Sequence, residues 1–460
     1  MRTLHAAVLA TRRLPGLSSM YEALYRGGAA AGAKALGALP GVESVILHRG
    51  LARGRLVPGV SDVDLILLRR ALPDSGEAAW LAALGARWSA LRTFFPPLGD
   101  LWVATREETA LYLRRGGLRA WEDAPHWRAL VGALPERPGY GGSPLKRGVL
   151  DPWTWAFVSF MDLSRRVWAP GADLPAKRDA DVRKLYRETA RLCLAVLTGQ
   201  EPAPREAALP GPDPERGVPH RLWLAAAGLL TEASSAALAL LGTAETATPH
   251  MTPDGKLESL RAACGAVSLV IHPPYHAVAV LGDAADGAEF ERAAAGLAAS
   301  GLAEAPLVLT ESSWALALQS SYLGVPRSCL RSFARPTAGL FAPWETRGSG
   351  AAVAIPLLAP GLRREAAAEA ASWMLLWWRA LWASPSYSNR FVLHHLYSNA
   401  LGLRAALSGR EEESALREAL ERWAVAEPPD CVDRVPRAVL AAEHAATLAG
   451  LMRRLAGDAS

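Results

Sequence analysis

Two aspartates stand at alternate positions in a hydrophobic run. Residues 45–68 read VILHRGLARGRLVPGVSDVDLILL, and Asp62 and Asp64 flank Val63 just ahead of Leu65, Ile66, Leu67 and Leu68. The run predicts two buried strands joined by a long turn, and in a strand residues i and i+2 point to the same face. Both carboxylates then project together, about 7 Å apart along the chain. Like charges held that close raise each other's pKa unless a cation lies between them. Oxygen donors select Mg²⁺ or Mn²⁺ over softer metals, and magnesium completes its shell with substrate phosphates. The pair therefore predicts a divalent ion and a phosphate-bearing substrate.

The surrounding pattern reads helix (19–39), strand, long turn, strand, helix and strand, an α+β order with a mixed sheet and flanking helices. In the helix after the aspartates, Leu81, Leu84, Trp88 and Leu91 recur on one face, and PPLGDLWVAT (96–105) is the next strand candidate. Pro- and Gly-rich stretches at 134–148 and 198–220 break the chain, and further loops are expected at 242–256 and 333–350. The predicted domains are 1–135, a helical 149–245, and a mostly helical 255–460 with short strands at 266–283 and 305–310 around a helix at 288–300. Helices are also expected at 365–383, 388–407, 411–425 and 434–455.

At 460 residues, half of them hydrophobic, the chain can bury more than one core. A net charge of +5 with no block of like charges argues against a nucleic-acid partner. The four cysteines, at 193, 264, 329 and 431, lack zinc-site spacing and read as reduced thiols of a cytoplasmic protein. The apolar run before Arg12 and Arg13 lacks the order of a secretory signal. Segments 222–241 and 371–383 carry Glu232 and Arg379, and the second is too short to cross about 30 Å of hydrocarbon, so both predict buried helices and no membrane.

Other motifs fail on spacing. GGAAAGAKAL (27–36) has Ala33 between Gly32 and Lys34 and no hydroxyl after the lysine, so it is a small-residue helix and not a phosphate loop. His272 and His276 are separated by prolines that forbid a shared helical face, which leaves a strand-end turn. His394 and His395 are adjacent, and no Gly-x-Ser-x-Gly elbow occurs.

Gly50-Leu51, the ten residues 52–61 ending in Ser61, and Asp62-Val63-Asp64-Leu65 resemble the signature of the nucleotidyltransferase superfamily with the DNA polymerase beta-like fold. The resemblance spans about residues 19–130 and is closest to the small-substrate branch that includes aminoglycoside adenylyltransferases. It implies that Asp62, Asp64 and a third carboxylate, Asp100, are the catalytic residues and hold Mg²⁺ (or Mn²⁺). Gly50, Arg53 and Ser61 would lie at a nucleoside triphosphate, with ATP expected. The implied reaction moves a nucleoside monophosphate to a hydroxyl of a small molecule, with residues 151–240 closing over the acceptor; relatives modify proteins, or persist as degraded binding modules. The family has Gly-Ser where this chain has Gly50-Leu51, so a phosphate-binding hydroxyl is missing there. Backbone amides of the turn, with Arg49, Arg53 and Arg55, are the remaining phosphate donors. Glu107, Glu108 and Asp123 compete with Asp100 for the third place. Trp and Tyr of the 151–240 region are either core or sugar-stacking groups, and Asp162, Asp179 and Asp181 either surface ion pairs or contacts to a cationic acceptor.

Overall fold

The computed structural model describes residues 2–136 (except 12, 13, 15 and 73), 148–168, 175–204, 218–247, 251–272, 276–301, 306–322, 346–383 (except 352 and 354) and 453. The helices expected at 388–407 and 411–425 and most of that at 434–455 lie outside these residues, as do His394, His395, Cys329, Cys431 and the turn at 273–275. The chain is mixed α+β and divides into two compact units, 1–141 with 367–460, and 142–366.

The first unit runs α1 (Arg2–Thr11), α2 (Leu17–Gly37), β1 (Val42–His48), α3 (Arg49–Ala52), β2 (Val63–Arg69), α4 (Asp74–Phe94), β3 (Leu98–Thr105), α5 (Arg106–Arg115), α6 (Gly117–Asp123) and β4 (Arg128–Val131). Its sheet has the order β3-β2-β1-β4, with β2 and β3 parallel and the other pairs antiparallel. β2 is buried along its whole length, which is why Leu65–Leu68 read as continuous apolar residues rather than as an alternation. α2 lies against the sheet through Leu36 and through Ala29, Gly32 and Ala33, whose small size allows close approach. The 27–36 motif is thus helix packing. On α4, Trp80, Leu81, Leu84 and Trp88 are buried. A Thr105–Glu108 capping box starts α5.

The second unit begins with three mutually packed helices, α7 (Leu150–Trp168), α8 (Pro175–Thr198) and α9 (Pro219–Leu241). Its aromatic residues form the core: Trp153 and Phe157 stack 5.4 Å apart, and Trp223 meets Phe160 and Trp168. The indoles of Trp153 and Trp223 donate to Ser234 and Ser164, at 2.8 Å each. These rings therefore serve packing, the core alternative of the sequence reading. Asp162, Asp179 and Asp181 meet Arg165, Arg178 and Arg166, the ion-pair alternative. By length and composition α9 is apolar enough to cross a membrane, and here one side of it is buried against α7, α8 and a later helix.

Then follow β5 (Thr243–Ala247), β6 (Met251–Pro253), α10 (Glu258–Cys264), β7 (Ser268–His272), β8 (His276–Leu281), α11 (Gly287–Ser300), β9 (Leu307–Thr310), α12 (Glu311–Tyr322), β10 (Thr346–Gly350), β11 (Ile355–Leu358) and α13 (Pro360–Ala383), which belongs from residue 367 on to the first unit. The expected strands at 266–283 and 305–310 are β7, β8 and β9, with α11 as the crossover between the parallel pair β8 and β9. They belong to a five-stranded sheet, β6-β10-β7-β8-β9, and β5 pairs with β11. The predicted loops at 242–256 and 333–350 thus contain β5, β6 and β10. β10 is Thr-Arg-Gly-Ser-Gly, a sequence that becomes a strand by pairing with β7 and not by its own preference.

Candidate active site

The site lies at the N-terminal ends of β2 and β3. β2 begins at Val63, so Asp62 immediately precedes the strand and Asp64 is its second residue. Parallel pairing sets Val63 opposite Leu98 but Leu65 opposite Leu101, so β3 carries one extra residue at Gly99-Asp100. This irregularity brings Asp100 beside Asp64, whose Oδ1 accepts the Asp100 backbone N–H at 2.8 Å. A methyl group added to Gly99 would sit 2.5 Å from Asp62 Cβ and 2.8 Å from Asp64 Oδ1. Glycine is needed there because the two aspartates lean on the β3 backbone. Asp64 and Asp100 are thus brought together, and Asp62 packs its Cβ against the Gly99 backbone.

Arg49 closes the cluster. Its Nη1 lies 2.7 Å from Asp100 Oδ2 and 3.7 Å from Asp64 Oδ2, and its guanidinium stands over Trp102, 4.9 Å from the ring centre. The Arg49 backbone has φ 61°, and no other non-glycine described residue has positive φ. That conformation costs of order 1–3 kcal/mol for a residue with a side chain and persists only where surroundings enforce it. Here the enforcing group is Asp123, whose Oδ1 accepts the Arg49 N–H at 3.1 Å.

Asp123 is held from several sides. His48 Nδ1 lies 3.1 Å from Oδ2, Trp127 Nε1 donates to the same oxygen at 3.1 Å, and Arg53 Nη2 reaches Oδ1 at 3.3 Å. Burial works against its charge, but the His48 bond and the nearby Arg49 and Arg53 charges outweigh it and hold the carboxyl well below the usual range. Burial likewise pushes His48 below the ordinary imidazole value, more than its bond to Asp123 raises it. A neutral His48 donating from Nδ1 to an ionised Asp123 leaves Nε2 as an acceptor, and that atom is buried without a hydrogen-bond partner. His48 is directly opposite Asp64 in the β1–β2 register, so both are on one face, which Trp102 shares through its pairing with Ile66.

The remaining predicted site residues lie elsewhere. Gly50 falls in the helical turn α3, not at a strand end. The left-handed position that favours glycine is Arg49, so the turn starts one residue earlier than Gly50-Leu51 implied. Leu51 is core, only 2% exposed, and does not stand in for a phosphate-binding residue. Arg53 is drawn to Asp123 and to the Glu122 carbonyl (2.8 Å). Ser61 closes the 57–61 turn, its Oγ accepting Val57 N–H at 2.9 Å. Among the competitors for the third carboxylate, Glu108 caps α5 and binds Arg379, and Asp123 supports His48 and Arg49. Sequence reasoning gave Arg49 no role beyond a possible phosphate contact and gave His48 none. A histidine closing a strand opposite an aspartate was the available signal.

Among the described residues, no three acidic, histidine or cysteine side chains are grouped as a metal cage. The all-carboxylate donor set suits a hard divalent ion, while the position between Asp64 and Asp100 is taken by the Arg49 guanidinium. The two carboxylates could serve a metal only with that head group displaced, and the Arg49 side chain is 34% exposed.

No family model matches the sequence, and the comparisons with curated proteins and with solved structures found no match.

Proposed function

We propose that the first unit is a Mg²⁺-dependent nucleotidyltransferase with a polymerase-beta-like sheet, moving a nucleoside monophosphate from a triphosphate, ATP by preference, to a hydroxyl on a small molecule or protein. The observation that carries this reading is the pairing of Asp64 with Asp100, and of Asp62 with the Gly99 backbone, at an irregularity that Gly99 makes possible. Clustered carboxylates cost stability without cationic partners, and such groups gather where ligands bind. Asp62 and Asp64 would hold the ion, which would supply charge neutralisation for the triphosphate and a lowered pKa for the acceptor hydroxyl. Asp100, fixed through its backbone bond to Asp64, is the acceptor for the hydroxyl's proton. Arg49 and the backbone amides of the turn after β1 are the phosphate donors on the chain.

A second reading, a nucleotide-binding module without transfer, is favoured by one observation: Arg49 occupies the place of the ion. One assay separates the two. Full-length protein is incubated with Mg²⁺ and ATP labelled at the α-phosphate or the γ-phosphate, together with metabolite and protein fractions. The transferase reading predicts α-label on an acceptor, γ-label in pyrophosphate, and loss of both with Asp64→Asn. Binding without transfer to any fraction selects the module.

A further inference from the structure

We propose that Arg49 is a tethered counter-cation: it closes the Asp64–Asp100 pair to free divalent ions and yields its place to a metal–triphosphate complex. The inference rests on the nucleotidyltransferase reading of the same site. A single nitrogen, Nη1, faces both carboxylates at 2.7 and 3.7 Å, in the space an ion with oxygen ligands at about 2.1 Å would need. The two halves of the residue are held differently. Its backbone is fixed in the left-handed region by Asp123, itself buried among His48, Arg53 and Trp127. Its head group is one-third exposed and lies over Trp102, so it can leave the carboxylates without moving the turn. A ligand is also indicated independently, because the buried, unpartnered Nε2 of His48 lies on the face that carries Asp64 and Trp102.

The chemistry of the displacing ligand follows. A bare divalent ion must expel the guanidinium into water, whereas a metal–triphosphate offers the carboxylates a cation and the guanidinium phosphate oxygens, which its planar fork binds well. Metal and triphosphate should therefore bind with positive coupling, and the coupling is reciprocal. Arg49 would make the site respond to the complex and ignore the free ion.

The test measures protein-bound Mn²⁺ by equilibrium dialysis of the full chain, as the excess of manganese on the protein side, with and without ATP. Wild type is compared with Arg49→Gly, Arg49→Lys and the double variant Arg49→Gly/Asp64→Asn. Glycine accepts φ 61°, so Arg49→Gly should keep the turn, and matched melting curves check this. Arg49→Gly should bind Mn²⁺ about tenfold more tightly than wild type, the scale of one hydrogen bond between charged groups. Arg49→Lys should remain close to wild type, ATP should tighten Mn²⁺ binding in wild type more than in Arg49→Gly, and the double variant should lose the gain. Equal Mn²⁺ affinity in wild type and Arg49→Gly, lost in the double variant, would overturn the counter-cation while leaving the metal-dependent reading intact. Absence of Mn²⁺ binding in Arg49→Gly, even with ATP, overturns both.

Discussion

The two ends of the β2–β3 pair both set arginine against carboxylates, yet they are built differently. At the C-terminal end, Arg69 pairs with Glu77, while Arg379 of α13 binds Glu77 at 2.9 Å and both oxygens of Glu108 at 2.6 and 3.0 Å. The arginine side chains there are 1% and 5% exposed, and Arg379 engages its partners through all three nitrogens. At the N-terminal end, one nitrogen of Arg49, whose side chain is one-third exposed and whose backbone is left-handed, is shared by Asp64 and Asp100. A closed, two-for-two network of forked contacts is a structural clamp. An open and asymmetric one, with its arginine head group one-third exposed, is suited to exchanging its cation for a ligand.

Breaking the clamp should have the largest effect. Arg379→Ala leaves Glu108 and Glu77 buried without that partner, and removal of one member of such a pair costs about 3–5 kcal/mol. Chemical denaturation of the variant should show a loss of that size, whereas Arg49→Gly should lie within about 1 kcal/mol of wild type, because relief of the left-handed backbone offsets the lost contact. Comparable losses in both would erase the distinction between the two ends.

Next comes Leu51. As core, its change to serine removes apolar contact and strands a hydroxyl, lowering stability by about 2–5 kcal/mol with no gain in triphosphate affinity. A gain in affinity at unchanged stability would return Leu51 to the phosphate turn. Gly99→Ala should cost less, about 1–3 kcal/mol, by pushing β3 away from Asp62 and Asp64. Unlike the Arg379 change, it should weaken triphosphate binding more than its stability loss explains.

The smallest effect is in the pH profile. His48 titrates below its ordinary value when folded, so its contribution is complete above about pH 6.5 and declines as the unfolded chain takes up a proton below that. Asp123 and Glu108 are also held below their ordinary values, and their contributions are lost as pH falls below about 4. Melting temperature should therefore fall in two stages on acidification, and His48→Gln should remove the first. A single stage below pH 4 in wild type would show that His48 is not held neutral.

Much of this was legible in the sequence because it was written in side-chain chemistry. Asp62 and Asp64 announced themselves as charges next to a run of leucines, and Asp100 followed from its place on the next predicted strand. The small residues of α2 were readable as helix because the spacing of a phosphate loop was missing. Arg49 was harder, since only the backbone shows that the left-handed position belongs to it and not to Gly50. His48 and Asp123 are separated by 74 residues of chain and meet only through sheet register and α6. The clamp through Arg379 crosses some 270 residues, which no local pattern encodes. β10 was invisible for the opposite reason: it has no side-chain signal and exists through its neighbours.

The central claim is that Asp62, Asp64 and Asp100 form a metal-dependent triphosphate site. Calorimetric titration of the full chain with ATP tests it most directly, once with Mg²⁺ and once with chelator, for wild type and Asp64→Asn. Binding should be clear with Mg²⁺, weaker by tenfold or more after chelation because Arg49 then stays on Asp64 and Asp100 instead of on the phosphates, and lost in Asp64→Asn. Equal affinity with and without the metal, unchanged by Asp64→Asn, would contradict the account.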